Sequence, residues 1–112
     1  MKKIEAIVRP EKLMMVRKAL ESIGVPGMTI TQVAGHGAQR GITQQWKGNI
    51  YTVDLITKVK IEAVIPDTLL EQALSTIAET ARTGEIGDGK VFVSEITDVL
   101  RVRTGERGAV AV

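Results

Sequence analysis

The run Thr83-Gly84-Glu85-Ile86-Gly87-Asp88-Gly89-Lys90 holds the densest chemistry in the chain. Glycines let backbone N–H groups turn toward an anion, and Lys90 adds a charge that can hold a phosphate. The order differs from a Walker loop, which passes from strand into helix and ends in Gly-Lys-Ser/Thr. Taken alone, the run also reads as a turn with a helix C-cap at Gly84. Arg101 and Arg103 favour the anion reading. In an extended segment, residues i and i+2 project to one side, and two guanidiniums there form a clamp for phosphate oxygens; the alternative is a solvated basic edge. Lys90, Arg101, Arg103 and the glycines together point to a polyphosphate site. His36 is the lone histidine and there is no cysteine, so a metal site of His and Cys ligands has no support. No Ser-His-Asp set and no carboxylate pair at credible spacing supports hydrolysis. Lys58 reads as an exposed strand lysine that becomes a carboxylate partner if the neighbouring loop folds back over it.

That loop, Gly35 to Asp54, is the second feature. It shows neither helical nor strand periodicity, carries Gly35, Gly37, Gly41 and Gly48, and holds the only Trp and the only Tyr, Trp46 and Tyr51. Connections in compact domains usually run to about 4–6 residues. Large amphipathic aromatics on so long a segment suit partner contact, because they bring area and a polar tip. A floppy hairpin tip is the other reading. As a hairpin the segment reaches on the order of 30 Å, at ~3.3 Å per residue.

The elements that position these residues follow from periodicity. Lys3 to Val8 reads as a first strand, with Ile4, Ala6 and Val8 on one face. Arg9-Pro10-Glu11 opens a helix whose stripe is Leu13, Val16, Leu20 and Ile23, and Gly24 ends it. Met28 to Ala34 is a second strand. Leu55 to Ile65 is a third, with Val59, Ile61, Ala63 and Ile65 on one face. Pro66-Asp67 opens a second helix with stripe Leu70, Ala73, Leu74 and Ile77, running to about Ala81. Lys90 to Val93 is a fourth strand. Val99 to Arg103 is short and alternating, and Thr104 to Val112 is a tail too small to fold alone.

A duplication is visible: Lys3-Ile4-Glu5-Ala6-Ile7-Val8 matches Lys60-Ile61-Glu62-Ala63-Val64-Ile65, and a proline-associated helix start follows each copy. Two strand–helix–strand units give a βαββαβ order, the ferredoxin-like α+β arrangement, with both helices on one face of a four-stranded antiparallel sheet. The first and third strands pair at its centre. The opposite face is mostly charged yet carries Ile7 and Val64. These are either tolerated surface residues or the lining of an intersubunit or ligand surface; a face with no helix over it favours the second.

Bulk composition agrees with one domain across residues 1–112. Apolar residues make up 44% and charged residues 25%, ordinary for a globular protein, while aromatics at 3% leave the core to Ile, Val, Leu, Met and Ala. A formal charge of +2 is too small for a general nucleic-acid binder. The first residues lack the apolar run of a signal peptide, and cytoplasm is the default expectation.

The βαββαβ order, the long loop between the second and third strands, Thr83-Gly84-Glu85-Ile86-Gly87-Asp88-Gly89-Lys90-Val91-Phe92-Val93 and Arg101-Val102-Arg103-Thr104-Gly105 resemble the nitrogen-regulatory P-II signal-transduction family, over essentially the whole chain. The resemblance implies a cytoplasmic homotrimer that senses energy and carbon/nitrogen status, with no catalytic activity of its own. It implies ATP or ADP in a cleft between subunits. Gly87, Asp88, Gly89 and Lys90 would hold phosphates together with Arg101 and Arg103, Ile7, Val64 and Thr29 would contact the adenine end, and Gly37, Ala38 and Gln39 would approach the phosphates. Gln39 would help ligate Mg²⁺, which chelates 2-oxoglutarate; Lys58 would pair with a carboxylate of that acid, and amides near Arg40 and Gly41 would bind its other end. The loop, about residues 37–54, would be the effector arm toward an ammonium transporter or nitrogen-assimilation enzymes, and residues 104–112 a flexible tail.

Some positions depart from the family pattern. Ala38 stands where many members carry an arginine that reaches the terminal phosphate of ATP. Tyr51 occupies a position that is uridylylated in some bacteria, but Trp46, Asn49 and Ile50 are unusual neighbours for it, and Asn49 replaces a serine that other members phosphorylate. Lys47 lies where a basic residue plugs the ammonium channel in relatives that bind the transporter. Two other functions exist on this general fold. An RNA-recognition module needs stacking aromatics on its central strands, where only Phe92 is offered. An acylphosphatase-like enzyme needs an early phosphate loop with its arginine, and none is apparent.

Overall fold

The duplicated segments fold alike, residue for residue. Strand β1 (Lys2–Val8) leads into a 3-10 turn at Pro10–Lys12 and helix α1 (Leu13–Ser22); strand β5 (Ile56–Ile65) leads into a 3-10 turn at Asp67–Leu69 and helix α2 (Leu70–Ala81). The spacing from Lys3 to Lys60 is kept at Pro10 and Asp67, at Leu13 and Leu70, and at the buried pairs Val16/Ala73 and Leu20/Ile77. Each helix thus begins with a tight turn rather than a full α turn. Pro10 and Pro66 set the extended-to-helical bend in the two copies, one inside the turn and one just before it. This is a computed structural model, and it describes residues 1–36, 42–46, 49–53 and 55–112.

Two further strands, β2 (Thr29–Gly35) and β6 (Lys90–Glu95), complete a four-stranded sheet in the order β2-β5-β1-β6, antiparallel throughout. The expected ferredoxin-like α+β architecture is present, with β1 and β5 paired at the centre, Lys3 opposite Val64 and Ile7 opposite Lys60. The core lies between sheet and helices: Ile4, Ala6 and Val8 from β1, Val59, Ile61, Ala63 and Ile65 from β5, Val16 and Leu20 from α1, and Ala73, Ile77 and Ala81 from α2. Period-2 alternation on the central strands meets a 3.6-residue stripe on each helix, so one apolar layer serves both. Helix α1 closes with the Val25 N–H on the Leu20 carbonyl (3.1 Å) and the Gly24 N–H on the Glu21 carbonyl (3.1 Å), and Val25 turns into the core. Ile61 is fully buried at the sheet centre. Its replacement by Val, which removes one methylene, is expected to cost about 1 kcal/mol in chemical denaturation.

The long segment takes the hairpin form the sequence allows, but with regular strands that its periodicity does not show. It contains strands β3 (Ile42–Trp46) and β4 (Asn49–Val53), paired antiparallel from Ile42↔Val53 to Trp46↔Asn49. Thr43, Ile50, Tyr51, Thr52 and Val53 favour extended backbone. The residues of the two strands show no apolar alternation in sequence, so periodicity alone misses the ladder. Gly37, Ala38, Gln39, Arg40, Gly41 and Lys47 lie outside the described residues, and for Trp46 and Tyr51 the backbone alone is described.

The C-terminal stretch also differs. Residues 99–103 are not a strand. Leu100 bridges to Arg107, a turn covers 102–104, the Gly105 N–H bonds the Arg101 carbonyl (2.8 Å), and a 3-10 turn follows at Gly108–Ala111. Asp98 accepts from the Val99 N–H (2.8 Å), the Gly108 N–H (3.2 Å) and the Arg107 guanidinium, which closes the loop at its base and holds the Asp98 carboxyl below its ordinary pKa.

Candidate functional site

The helix-free face of the sheet carries the site. Because side chains alternate, β1 presents Lys3, Glu5 and Ile7 there, β5 presents Lys58, Lys60, Glu62 and Val64, β2 presents Thr29, and β6 presents Lys90 and Phe92. Toward one end the face is an ionic lattice. Glu62 accepts from Lys3 (2.9 Å) and Lys60 (3.3 Å), and the hydrogen bond from Lys3, followed by that from Lys60, draws its carboxyl below the usual range.

Toward the other end lies an open cavity of about 450 Å³, lined among others by Ile7, His36, Lys58, Gly87, Gly89 and Lys90. One wall is apolar, from Ile7, Ile56 and the half-exposed Phe92, and the other is the loop after α2 with two lysines at hand. Such a shape takes a ligand with a flat apolar part and an anionic part.

The loop is fixed by Asp88. Its Oδ2 accepts from the backbone N–H groups of Thr83 (2.8 Å) and Gly84 (2.9 Å), and its Oδ1 from the Thr83 hydroxyl and from Arg9 Nε (3.2 Å). The Thr83 hydroxyl bond, with the backbone donors and Arg9 behind it, holds the Asp88 carboxyl far below the ordinary range. Asp88 is therefore an anchor for the loop, with both oxygens engaged inward. Lys58 donates to the Gly87 carbonyl (2.5 Å); burial, and then the neighbouring Arg9 charge, lowers its pKa.

Glycine at position 89 is dictated by contact. Its φ is +98°, and a Cβ there would sit 1.7 Å from the Ile7 carbonyl oxygen. The loop must pass against β1 at this point to deliver Lys90 opposite Ile7.

The structure thus gathers Ile7, Lys58, Gly87, Asp88, Gly89 and Lys90 in one place. Val64 and Thr29 stand on the same face, at the Glu62 end, away from the cavity. Arg101 and Arg103 are elsewhere. Strand β6 runs from Lys90, beside Ile7, to Glu95, beside Lys2, so residues after it emerge at the opposite end of the sheet. Six strand residues carry the chain roughly 20 Å. Within one chain, Lys90 and the two arginines therefore do not converge, and Arg103 lies in a turn rather than two places along a strand. Arg101 donates through Nη1 to Glu106 (2.9 Å) and through Nη2 to the Val110 carbonyl (2.9 Å).

Sequence reasoning missed Arg9. Its signal was weak: a cation directly before a proline, at the end of the first strand, reads as a helix-start residue. In the fold it reaches across to Asp88 and also donates through Nη2 to the Ile86 carbonyl (3.0 Å). Among the described residues, no group of three or more His, Asp or Glu side chains is placed to hold a metal ion. None of the described helices is long and apolar enough to cross a membrane.

The site thus joins a glycine loop pinned by Asp88, an apolar wall and two lysines within one ferredoxin-like α+β domain. Comparison with known proteins identifies the family. The family model described as Nitrogen regulatory protein P-II matches residues 1–106. Nitrogen regulatory protein P-II 1 of Escherichia coli (strain K12) is 50% identical over 112 residues, all of both chains. Nitrogen regulatory protein P-II of Azospirillum brasilense is 49% identical, and that of Haemophilus influenzae (strain ATCC 51907 / DSM 11121 / KW20 / Rd) 51% identical, again over the full length of each. The chain belongs to the nitrogen regulatory protein P-II family, and its role is signal transduction in nitrogen regulation.

Proposed function

We propose that this chain senses ATP or ADP together with 2-oxoglutarate and regulates its targets by the state of the segment at about residues 37–54. The observation that carries the reading is the cavity itself: Ile7 at an apolar wall, and Gly87, Gly89 and Lys90 beside Lys58. Adenine would lie toward Ile7, with Val64 and Thr29, which stand away from this cavity in their own chain, reaching it from a neighbouring copy. Phosphates would lie toward Gly87, Asp88, Gly89 and Lys90, with Gly37, Ala38 and Gln39 approaching from the segment. Since Arg101 and Arg103 lie at the far end of the sheet, they would serve a neighbouring copy's nucleotide, which supports a site completed in a homotrimer. Mg²⁺ fits this site only if its oxygens come mainly from ligand, because the described residues offer no acidic cluster; Gln39 would be the protein's donor. Lys58 would take a carboxylate of 2-oxoglutarate, with Arg40 and Gly41 at its other end.

Effectors act by binding one state of the segment better than another, so effector and target affinities are reciprocally linked. Trp46, Lys47 and Tyr51 form the readout end toward an ammonium transporter or a nitrogen-assimilation enzyme, with Tyr51 a possible modification site. The protein works in the cytoplasm as a regulator, not an enzyme, and touches a membrane only through a transporter. The whole chain acts as one domain whose residues 104–112 form a tail.

Calorimetry tests this. A trimer is expected to bind ATP and ADP at micromolar affinity and to bind 2-oxoglutarate only with Mg-ATP present. Lys58→Ala is expected to abolish the 2-oxoglutarate heat while ATP still binds. A monomer with no nucleotide heat, or 2-oxoglutarate binding of equal strength without ATP, refutes the reading.

A further inference from the structure

We infer that Arg9 is a positioning residue for phosphate recognition: it aims the backbone donors of the Gly87 turn by holding the loop from behind. The inference rests on the nucleotide reading above and deepens it. Arg9 and Ile86 are absent from the cavity wall, while Gly87 is part of it. The Ile86 carbonyl accepts from Arg9 Nη2 at 3.0 Å, a partner that is not part of the cavity lining. In a trans peptide the C=O of one residue and the N–H of the next point in opposite directions. Pinning the Ile86 carbonyl therefore turns the Gly87 N–H to the cavity side.

The same guanidinium takes Asp88 through Nε at 3.2 Å, and Asp88 in turn holds the N–H groups of Thr83 and Gly84. One planar fork thus fixes both the near and the far part of the loop relative to β1. A second cation acts on the next peptide, since Lys58 holds the Gly87 carbonyl at 2.5 Å. Two cations on successive carbonyls leave that turn little freedom. Amide donors are strong anion ligands only when their directions are set before the anion arrives. Arg9 does this without touching the ligand. A lysine carries the charge but cannot present two donors in fixed directions.

Calorimetry on the full-length protein, with ATP, ADP and, by displacement of a fluorescent nucleotide, adenosine, tests the role. Arg9→Gln is expected to weaken ATP and ADP on the order of tenfold, the scale of a charge-assisted hydrogen bond, while adenosine affinity stays within about twofold. Arg9→Lys is expected to fold like the wild type and to recover part of the phosphate-dependent affinity. Equal loss for adenosine and ATP overturns the inference in favour of a general packing role, and unchanged ATP binding in both variants overturns it outright. Should Arg9→Gln fail to fold, Arg9→Lys decides: wild-type affinity for ATP in that variant removes the fork from the argument. A wild-type chain that binds no nucleotide overturns the sensor reading as a whole, an outcome distinct from a failure at Arg9.

Discussion

Gly89→Ala is expected to be the most damaging single methyl group that can be added to this chain. The added Cβ would lie 1.7 Å from the Ile7 carbonyl oxygen, 2.8 Å from its carbon and 3.3 Å from Val8 Cα. All three are backbone atoms of a central strand, so no side chain can rotate aside. A φ of +98° adds strain of its own. Relief requires β1 and β6 to separate where Ile7 meets Lys90, which breaks the ladder and opens the cavity floor. A loss of at least about 3 kcal/mol is expected, the upper range for strain and overpacking at a fixed site. Gly84→Ala is the control. Its φ of +93° is equally unusual, yet nothing lies within 4 Å of the new carbon, so the cost is about 1 kcal/mol of backbone strain. Denaturant titration of both variants separates contact from conformation: similar losses at the two sites would show that close approach to Ile7 does not matter.

Which parts of this were legible in the sequence follows from where burial acts. The central strands and both helices were readable because each has one face in the core, and burial imposes a period. Ile4, Ala6 and Val8 alternate, Val16 and Leu20 recur at helical spacing, and the copy beginning at Lys60 repeats the pattern. The residues of the β3–β4 ladder carry no apolar alternation, so its extended backbone left no periodic trace. Ile7, Lys58 and the Gly87–Lys90 loop are joined as one site only through the family resemblance. The residues by themselves group Lys90 and the glycines with Arg101 and Arg103 and leave Lys58 an exposed strand lysine. It is the fold that brings Ile7, Lys58 and the loop to one sheet end. The misplaced pair, Arg101 and Arg103, shows the limit of proximity in sequence. They follow Lys90 closely along the chain, but an antiparallel edge strand intervenes and delivers them to the other end. Arg9 was hidden for a different reason. Its partners, Ile86 and Asp88, are remote in sequence, and a single cation before a proline carries no pattern.

Asp88→Asn is the second large effect expected. The substitution keeps shape and removes charge, yet the hydrogen-bond directions cannot be met. Both carboxylate oxygens act as acceptors, Oδ2 for two backbone N–H groups and Oδ1 for the Thr83 hydroxyl and Arg9. An amide has one oxygen and one NH₂, so either the backbone donors of Thr83 and Gly84 or the Arg9 guanidinium must face another donor. Whichever side loses, the loop comes away from one of its two anchors. The variant is expected to melt several degrees below the wild type and to bind nucleotide more weakly. The pH dependence identifies the cause. Asp88 has its folded pKa below the unfolded value of about 3.9, so the unfolded chain takes up the proton more readily. Its contribution is complete above that unfolded value and is lost as pH falls toward the folded pKa. Thermal melts from pH 7 down to pH 2 are expected to show the gap between wild type and Asp88→Asn constant at neutral pH and narrowing below about pH 4. A gap that stays constant through that range would mean that the carboxylate charge does not hold the loop, and that the geometry around Thr83 and Arg9 survives on neutral hydrogen bonds alone.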